Sequence, residues 1–239
     1  MNKHIIAMSL AAGLLFASGI ASAEDETGWS PDISVTGTSD YIFRGVSQTD
    51  SGPALQFNLG ISHSSGFHAG LWTSNVDFQN PGSGTNLELD YTVGWAFTLP
   101  ADTSLDVYLT RYSYPGTNAG YEIAYNELIA DYSFLEHYTA TFAYSNDYVN
   151  TGTKSFYYKF AAEYPIGESG WNVGGGVGYS DIADAAGKGY WDYHLGANRG
   201  FGDHFSVDVS YYNTSGAPAF LGPNSWHDSR FVVSGTLSY

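Results

Sequence analysis

The sequence predicts an all-β protein: a transmembrane antiparallel up-and-down β-barrel of about 12 strands, behind an N-terminal signal peptide. Three observations predict it. Apolar and polar residues alternate with period two in run after run, and each run is long enough for a tilted strand, about 9–11 residues, to cross a bilayer. Short and long connections alternate between the runs. The first residues have the three-part layout of a secretory leader.

That leader comes first in the chain. Met1 to His4 is short and basic, Ile5 to Ile20 is apolar, and Ala21-Ser22-Ala23 is a small-residue cleavage site, so cleavage is expected after Ala23. The expected organisation is a signal peptide over 1–23, a short periplasmic segment over 24–31 and one barrel domain over 32–239. No cysteine occurs anywhere, so neither a lipid-modified cysteine nor a disulfide is available.

The strands follow in order. The first is expected over Ile33 to Phe43, the second over Ala54 to His63 and the third over Phe67 to Val76. The fourth, "NLELDYTVGWAFTL", is the cleanest: Leu87, Leu89, Tyr91, Val93, Trp95, Phe97 and Leu99 share one face, with Glu88, Asp90 and Thr92 on the other. Leu105 to Tyr114 is the fifth. The sixth is expected over Tyr121 to Phe134, with a β-bulge where its phase slips near Glu127 and Leu128. Alternating residues between Tyr138 and Tyr144, Phe156 and Tyr164, Trp171 and Tyr179, Trp191 and Ala197, and Phe205 and Tyr211 mark five more. The last runs from Arg230 to Tyr239. Tight connections such as Ser64 to Gly66 and Gly202-Asp203 read as periplasmic turns. Long ones such as Gly45 to Pro53 and Asn213 to Asp228 read as outside loops.

Composition narrows the function. The net charge is −16, so nucleic acid is excluded as a partner. Charged residues make up only 13% while aromatics reach 17%, with 29 glycines, a balance that suits a lipid-facing β wall. Tyr41, Phe43, Tyr144, Phe156, Tyr179, Trp191 and Phe231 are expected to ring the outer membrane interface. Trp95, Phe97, Phe134, Tyr138, Trp171, Phe205 and Tyr239 are expected to ring the inner one. Arg111 and Arg199 fall in the lipid-facing phase near strand ends, where they can reach headgroups. Phe231, Val233, Leu237 and Tyr239, in phase along the last strand, resemble the signal that barrel-assembly machinery recognises.

The stretch "SDYIFRGVSQTDSGPALQ", Ser39 to Gln56, preceded by Val35-Thr36-Gly37, resembles the start of the Gcw_chp family of TorF-like porins. The resemblance spans the chain after the leader. It implies an exported bacterial outer-membrane barrel of porin type, and it carries over no substrate and no catalytic residue.

Function is therefore sought on the inward face. Its acids are expected to be Asp40, Glu88, Asp90, Asp106, Glu122, Glu163, Asp192 and Asp208. Its basic groups are Arg44, Lys159, Arg230 and His194, and Tyr108, Tyr112, Tyr157 and Tyr212 narrow it, together with Trp72 and Tyr190. Such a lining could select solutes or could plug a closed barrel by salt bridges. Because acids outnumber bases, an open lumen favours small cationic or neutral solutes. The first reading is a passive narrow channel. A closed barrel with surface-binding loops is the alternative, and a hydrolase built on Asp192 and His194 is a third. No enzyme motif, cofactor motif or metal-ligand spacing stands out. The expected partners are membrane lipid, assembly machinery and small solutes, and the sequence leaves the oligomeric state open.

Overall fold

The structure, a computed structural model, describes residues 27–80 and 82–239. The expected leader, its cleavage after Ala23 and the start of the 24–31 segment lie outside the described residues. Twelve strands of the described residues form a closed barrel in which each strand pairs antiparallel with its neighbours in sequence. They are β1 (Trp29–Thr38), β2 (Ala54–His63), β3 (Phe67–Asn75), β4 (Leu87–Leu99), β5 (Thr103–Ser113) and β6 (Tyr125–Phe134). They continue as β7 (Tyr138–Ser145), β8 (Ser155–Pro165), β9 (Trp171–Asp181), β10 (Tyr190–Phe201), β11 (Phe205–Ser215) and β12 (Arg230–Ser238). β1 starts at Trp29, three residues ahead of the expected start of the barrel. It closes the wall against β12, with Val35 opposite Leu237 and Thr36 opposite Thr236. Closure removes the edge that a membrane cannot tolerate.

The outward row is apolar and exposed all round. Leu55, Phe57, Leu59 and Ile61 on β2, Tyr91, Val93, Trp95 and Phe97 on β4, and Phe231, Val233 and Leu237 on β12 all face away from the lumen. An exposed apolar surface of this extent is stable only against hydrocarbon. At the short-turn end Tyr138 stacks on both Phe134 and Phe160. Arg199 lies over the Trp171 and Phe201 rings there. Tyr239 stacks on His204 at 4.7 Å.

Two strand expectations need correction. β6 begins at Tyr125, not Tyr121, and its register with β5 runs unbroken from Tyr112 opposite Tyr125 to Ser104 opposite Ser133. There is no bulge at Glu127 and Leu128. The apparent slip arose because residues 121–124 are loop and because two inward residues, Tyr125 and Ile129, are apolar. Glu122 consequently sits in an exposed loop, where its carboxylate accepts from the Gly120 amide at 2.8 Å, and it does not line the lumen.

The larger correction concerns the first strand. β1 ends at Thr38 and not at Phe43. The chain then turns inward as a small hairpin, pairing Ile42 with Ser47 and Phe43 with Val46. Arg44 and Gly45 form its two-residue turn with φ of 48° and 79°. Positive φ at both centres is the type I′ geometry that matches the strand twist, and it favours glycine. Gly45 is also required by space, since a Cβ there would stand 2.6 Å from the Thr214 methyl and 2.9 Å from the Asp192 Cβ. Tyr41 and Phe43 are therefore not in the outer aromatic ring. Tyr41 is 2% exposed and packs on Trp72, and Phe43 packs on Tyr112. Residues 45–53 fold largely into the barrel mouth instead of forming a free outside loop.

Position on the wall sets the cost of a charge. Leu59→Arg, at the middle of β2, should lower stability by about 2–4 kcal/mol, whereas Trp95→Arg, beside the short-turn rim, should cost about 0–1 kcal/mol. Urea titration of the barrel refolded in lipid vesicles measures both, and equal costs would contradict the assigned membrane face.

Candidate functional site: the occupied lumen

The hairpin is fixed first at its root. Asp40 Oδ1 accepts from the Ser47 hydroxyl at 2.6 Å and from the Thr49 hydroxyl at 2.9 Å. Its other oxygen accepts from Arg230 Nη1 on β12 at 2.7 Å. One buried carboxylate thus ties both halves of the segment to the closing strand. Arg230 also donates to the Ser51 hydroxyl and to the Ser225 carbonyl. The Thr49 hydroxyl shares its one proton between Asp40 and Gly52 O, which lies 2.6 Å away, and Trp226 Nε1 donates to Asp50 at 2.7 Å.

The tip carries the second anchor. Arg44 crosses to the far wall, where Nη1 and Nη2 donate to the two carboxylate oxygens of Glu127 at 3.0 and 2.6 Å. This paired fork is the strongest geometry available to an arginine. Tyr112 donates to the same carboxylate at 3.1 Å. The guanidinium lies over the Tyr157 ring at 4.1 Å and the Phe43 ring at 4.7 Å. Tyr190 donates its hydroxyl to the Arg44 carbonyl at 3.1 Å. The hairpin therefore spans the lumen from β1 to β6, β8 and β10.

Above it the long-loop end is filled. Val46, Tyr112, Tyr125, Tyr148, Ile182, Tyr190 and Trp226 form one buried cluster, with Phe43, Phe78 and Leu221 packed on it. Five different connections contribute to this lid, so it is a shared tertiary structure and not one loop's local preference.

Towards the short-turn end the lumen is polar. His68 Nε2 meets Asp106 at 2.8 Å. Tyr108 donates to Asp131 at 2.9 Å, and Thr141 donates to the other oxygen of Asp131. Asn198 donates to Glu163 at 3.2 Å and Ser210 to Asp208 at 2.8 Å, while beside the hairpin Tyr157 donates to Asp192 at 3.2 Å. Lys159, on β8, lies in one register row with Asp131 and Asp192, each two strands away on either side. Tyr212 faces His194 at 6.2 Å between ring centres, and His194 Nε2 makes no hydrogen bond. Room for these groups comes from glycine on the neighbouring strand. A Cβ at Gly178 would stand 2.3 Å from the Tyr157 hydroxyl and 2.4 Å from Asp192.

Of the inward residues expected from the sequence, Glu88, Asp90, Asp106, Tyr108, Tyr112, Tyr157, Lys159, Glu163, Asp192, His194, Asp208, Tyr212 and Arg230 lie on inward positions of their strands. Asp40 and Arg44 face inward from the hairpin and not from a wall strand, and Glu122 is outside. The lining also includes three acids that sequence reasoning did not place: Asp32, Glu127 and Asp131. Beginning β6 at Tyr125 would have found the last two, because Tyr125, Glu127, Ile129, Asp131 and Ser133 then fall on one face. Asp32 was lost by starting β1 late; it accepts from the Asn58 amide at 2.7 Å.

The model of the family described as bacterial protein of unknown function (Gcw_chp) matches residues 22–236. No curated protein sequence matches the chain. Among solved structures, a KdgM porin superposes with a TM-score of 0.56 over 87% of this chain and 99% of its own, at 9% identity. The same score and coverage are found at 10% identity for a KdgM porin in complex with disordered oligogalacturonate. The COG4313 outer membrane channel from Pseudomonas putida F1 gives 0.47 over 89% and 95% of the two chains, at 10% identity. With the two KdgM porins, at 9% and 10% identity, the shared property is the barrel fold.

Removing one side of the Arg44–Glu127 pair strands the other charge in a buried place. Glu127→Ala should therefore destabilise the barrel by about 3–5 kcal/mol, and the joint replacement Arg44→Met with Glu127→Leu should recover most of that loss. Equilibrium unfolding of wild type, single and double variants in lipid checks this. A double variant as unstable as the single one would show that the hairpin needs the charges themselves.

Proposed function

Since the chain belongs to the Gcw_chp family of bacterial proteins of unknown function, its role has to be read from the barrel, and we propose that it is a narrow, passive outer-membrane channel of porin-like type, restricted by its own first loop, for small cationic or neutral solutes. The observation that carries this reading is the hairpin held across the lumen by Arg44 and Glu127. A barrel serving only as a wall has no need of a strained, glycine-dependent turn directed at a single acid on the opposite side. Beside and below the hairpin the lining carries Asp32, Asp106, Asp131, Glu163, Asp192 and Asp208, and Lys159 is its one lysine among the described residues. That excess of negative charge repels anions and concentrates cations.

The setting proposed is the Gram-negative outer membrane, reached with a signal peptide cleaved after Ala23. The short turns face the periplasm and the long loops face outside. The outward row Phe231, Val233, Leu237 and Tyr239 is the surface that assembly machinery would engage. A non-enzymatic role is proposed with it, in keeping with the KdgM porins whose barrels this one resembles. A second reading, a closed barrel without transport, is favoured by one observation: the aromatic lid over the hairpin.

Single-channel recording of the refolded chain in a planar bilayer under a salt gradient separates the readings. Wild type should give small, cation-preferring openings. Arg44→Ala, which frees the hairpin tip from Glu127, should raise the conductance several-fold, and Asp106→Asn with Asp131→Asn and Asp208→Asn should weaken the cation preference. Silence from folded wild type and folded Arg44→Ala variant alike would establish the closed barrel, and anion preference would sink the proposed selectivity.

A further inference from the structure

Glu88 and Asp90 stand two residues apart on β4, both turned inward and each 3% exposed. The Tyr114 hydroxyl donates to Glu88 Oε1 at 3.2 Å. Glu88 Oε2 and Asp90 Oδ1 have no hydrogen-bond partner. Neither acid has a basic partner among the described residues: Arg44 is spent on Glu127, Arg230 on Asp40, and His68 faces Asp106. Two carboxylates of like charge buried side by side without a counter-charge are costly unless something positive joins them.

A third group points at the same place from the hairpin. Tyr41 is 2% exposed and its ring rests on Trp72, the β3 residue opposite Asp90. Its hydroxyl is turned towards Glu88 and Asp90, and it has no partner besides these carboxylates. Glu88, Asp90 and Tyr41, with the Tyr114 hydroxyl beside Glu88, offer oxygen donors alone. Such a set suits a hard cation and neither zinc nor copper. Two carboxylates match the charge of one divalent ion. No third carboxylate or histidine joins them among the described residues, so the affinity belongs in the weak, roughly millimolar range of extracellular calcium sites.

We propose that Glu88, Asp90 and Tyr41 form a calcium-binding site that fastens the base of the inward hairpin to strand β4. The ion joins a wall strand to the plugging segment, so occupancy stabilises the stoppered state. This inference does not rest on the channel reading, because the site would fasten the hairpin in a silent barrel equally well.

The test uses the full chain, refolded in detergent at constant ionic strength and pH 7.5. Its readout is the midpoint of its heat-dependent gel-mobility shift, with calcium chloride at about 10 mM or with chelator. Calcium should raise the midpoint of wild type by about 3–6 °C, from a site filled about tenfold over its dissociation constant in a protein of this size. Glu88→Gln with Asp90→Asn should lose that rise, and Tyr41→Phe should reduce it. If the double variant does not fold, Tyr41→Phe and Glu88→Gln alone carry the test. An equal calcium rise in these variants would place the ion on the exposed loop acids and overturn the site. Wild type indifferent to calcium, but more stable as the pH falls towards 5, would show that the pair is neutralised by a proton and would overturn it too.

Discussion

A peptide group in hydrocarbon has no water to bond with, so the pairing of β1 with β12 is the constraint on which the rest of this structure depends. Once the wall is closed, every strand must alternate between lipid and lumen. A one-residue slip anywhere would exchange the two faces. This explains why the register runs without interruption through β4, β5 and β6, and why the long strand faces are so regular. It also explains where glycine is tolerated. Gly178 on β9 and Gly94 on β4 give up side-chain packing so that Tyr157, Asp192, Tyr108 and His68 can occupy the space between strands.

A wall of twelve strands encloses more volume than one layer of side chains fills. The inside of this barrel is filled in two ways. Towards the short turns, acids are held by tyrosine, threonine, asparagine and histidine donors, and the groups lie along the wall. Towards the long loops, the chain sends a piece of itself inward. The hairpin has little hydrogen bonding of its own, only two residue pairs. Its conformation is imposed by Asp40 at the root, Arg44 at the tip and the aromatic lid above. Each contact alone is modest. Together they place a positive φ on an arginine, which a free loop would not hold.

The wall was legible in the sequence because its physics is local and repetitive. The alternation of Leu87 to Leu99, or of Leu55 to Ile61, needs no knowledge of partners, and the short turns after β2, β4 and β6 follow from the same reading. What was not legible is the point at which alternation stops meaning wall. Val35, Gly37, Ser39, Tyr41 and Phe43 continue one phase without a break, so the run read as a single strand ending in two interfacial aromatics. Nothing between Thr38 and Phe43 signals that the chain has left the sheet. Only the φ-permissive Gly45, and the otherwise unexplained arginine before it, hint at a turn. At β6 the error had the opposite origin. Tyr125 and Ile129 are apolar on the lumen side, since they face the aromatic lid and the Tyr108 cluster and not water. A rule that equates apolar with lipid fails wherever the barrel is filled.

The same point reaches the family motif. The core of the stretch that carries the resemblance, Tyr41 to Gln48, is the inward hairpin and not the wall. A wall strand can be built from many apolar–polar sequences, so it constrains residue types only loosely. The hairpin constrains them tightly: glycine because a Cβ at position 45 would strike Thr214 and Asp192, arginine because only a planar fork matches Glu127 with two bonds. Serine at 47 and threonine at 49 are needed to donate to Asp40. A motif of this kind is therefore a statement about what stands in the lumen. The question of function becomes mechanical: an ion pair buried at the centre of a barrel is costly to break by removing one partner and cheap to replace by a packed apolar pair. A charged latch, where an apolar plug would hold as well, makes sense in a segment whose hold on the wall responds to the charges and ions around it.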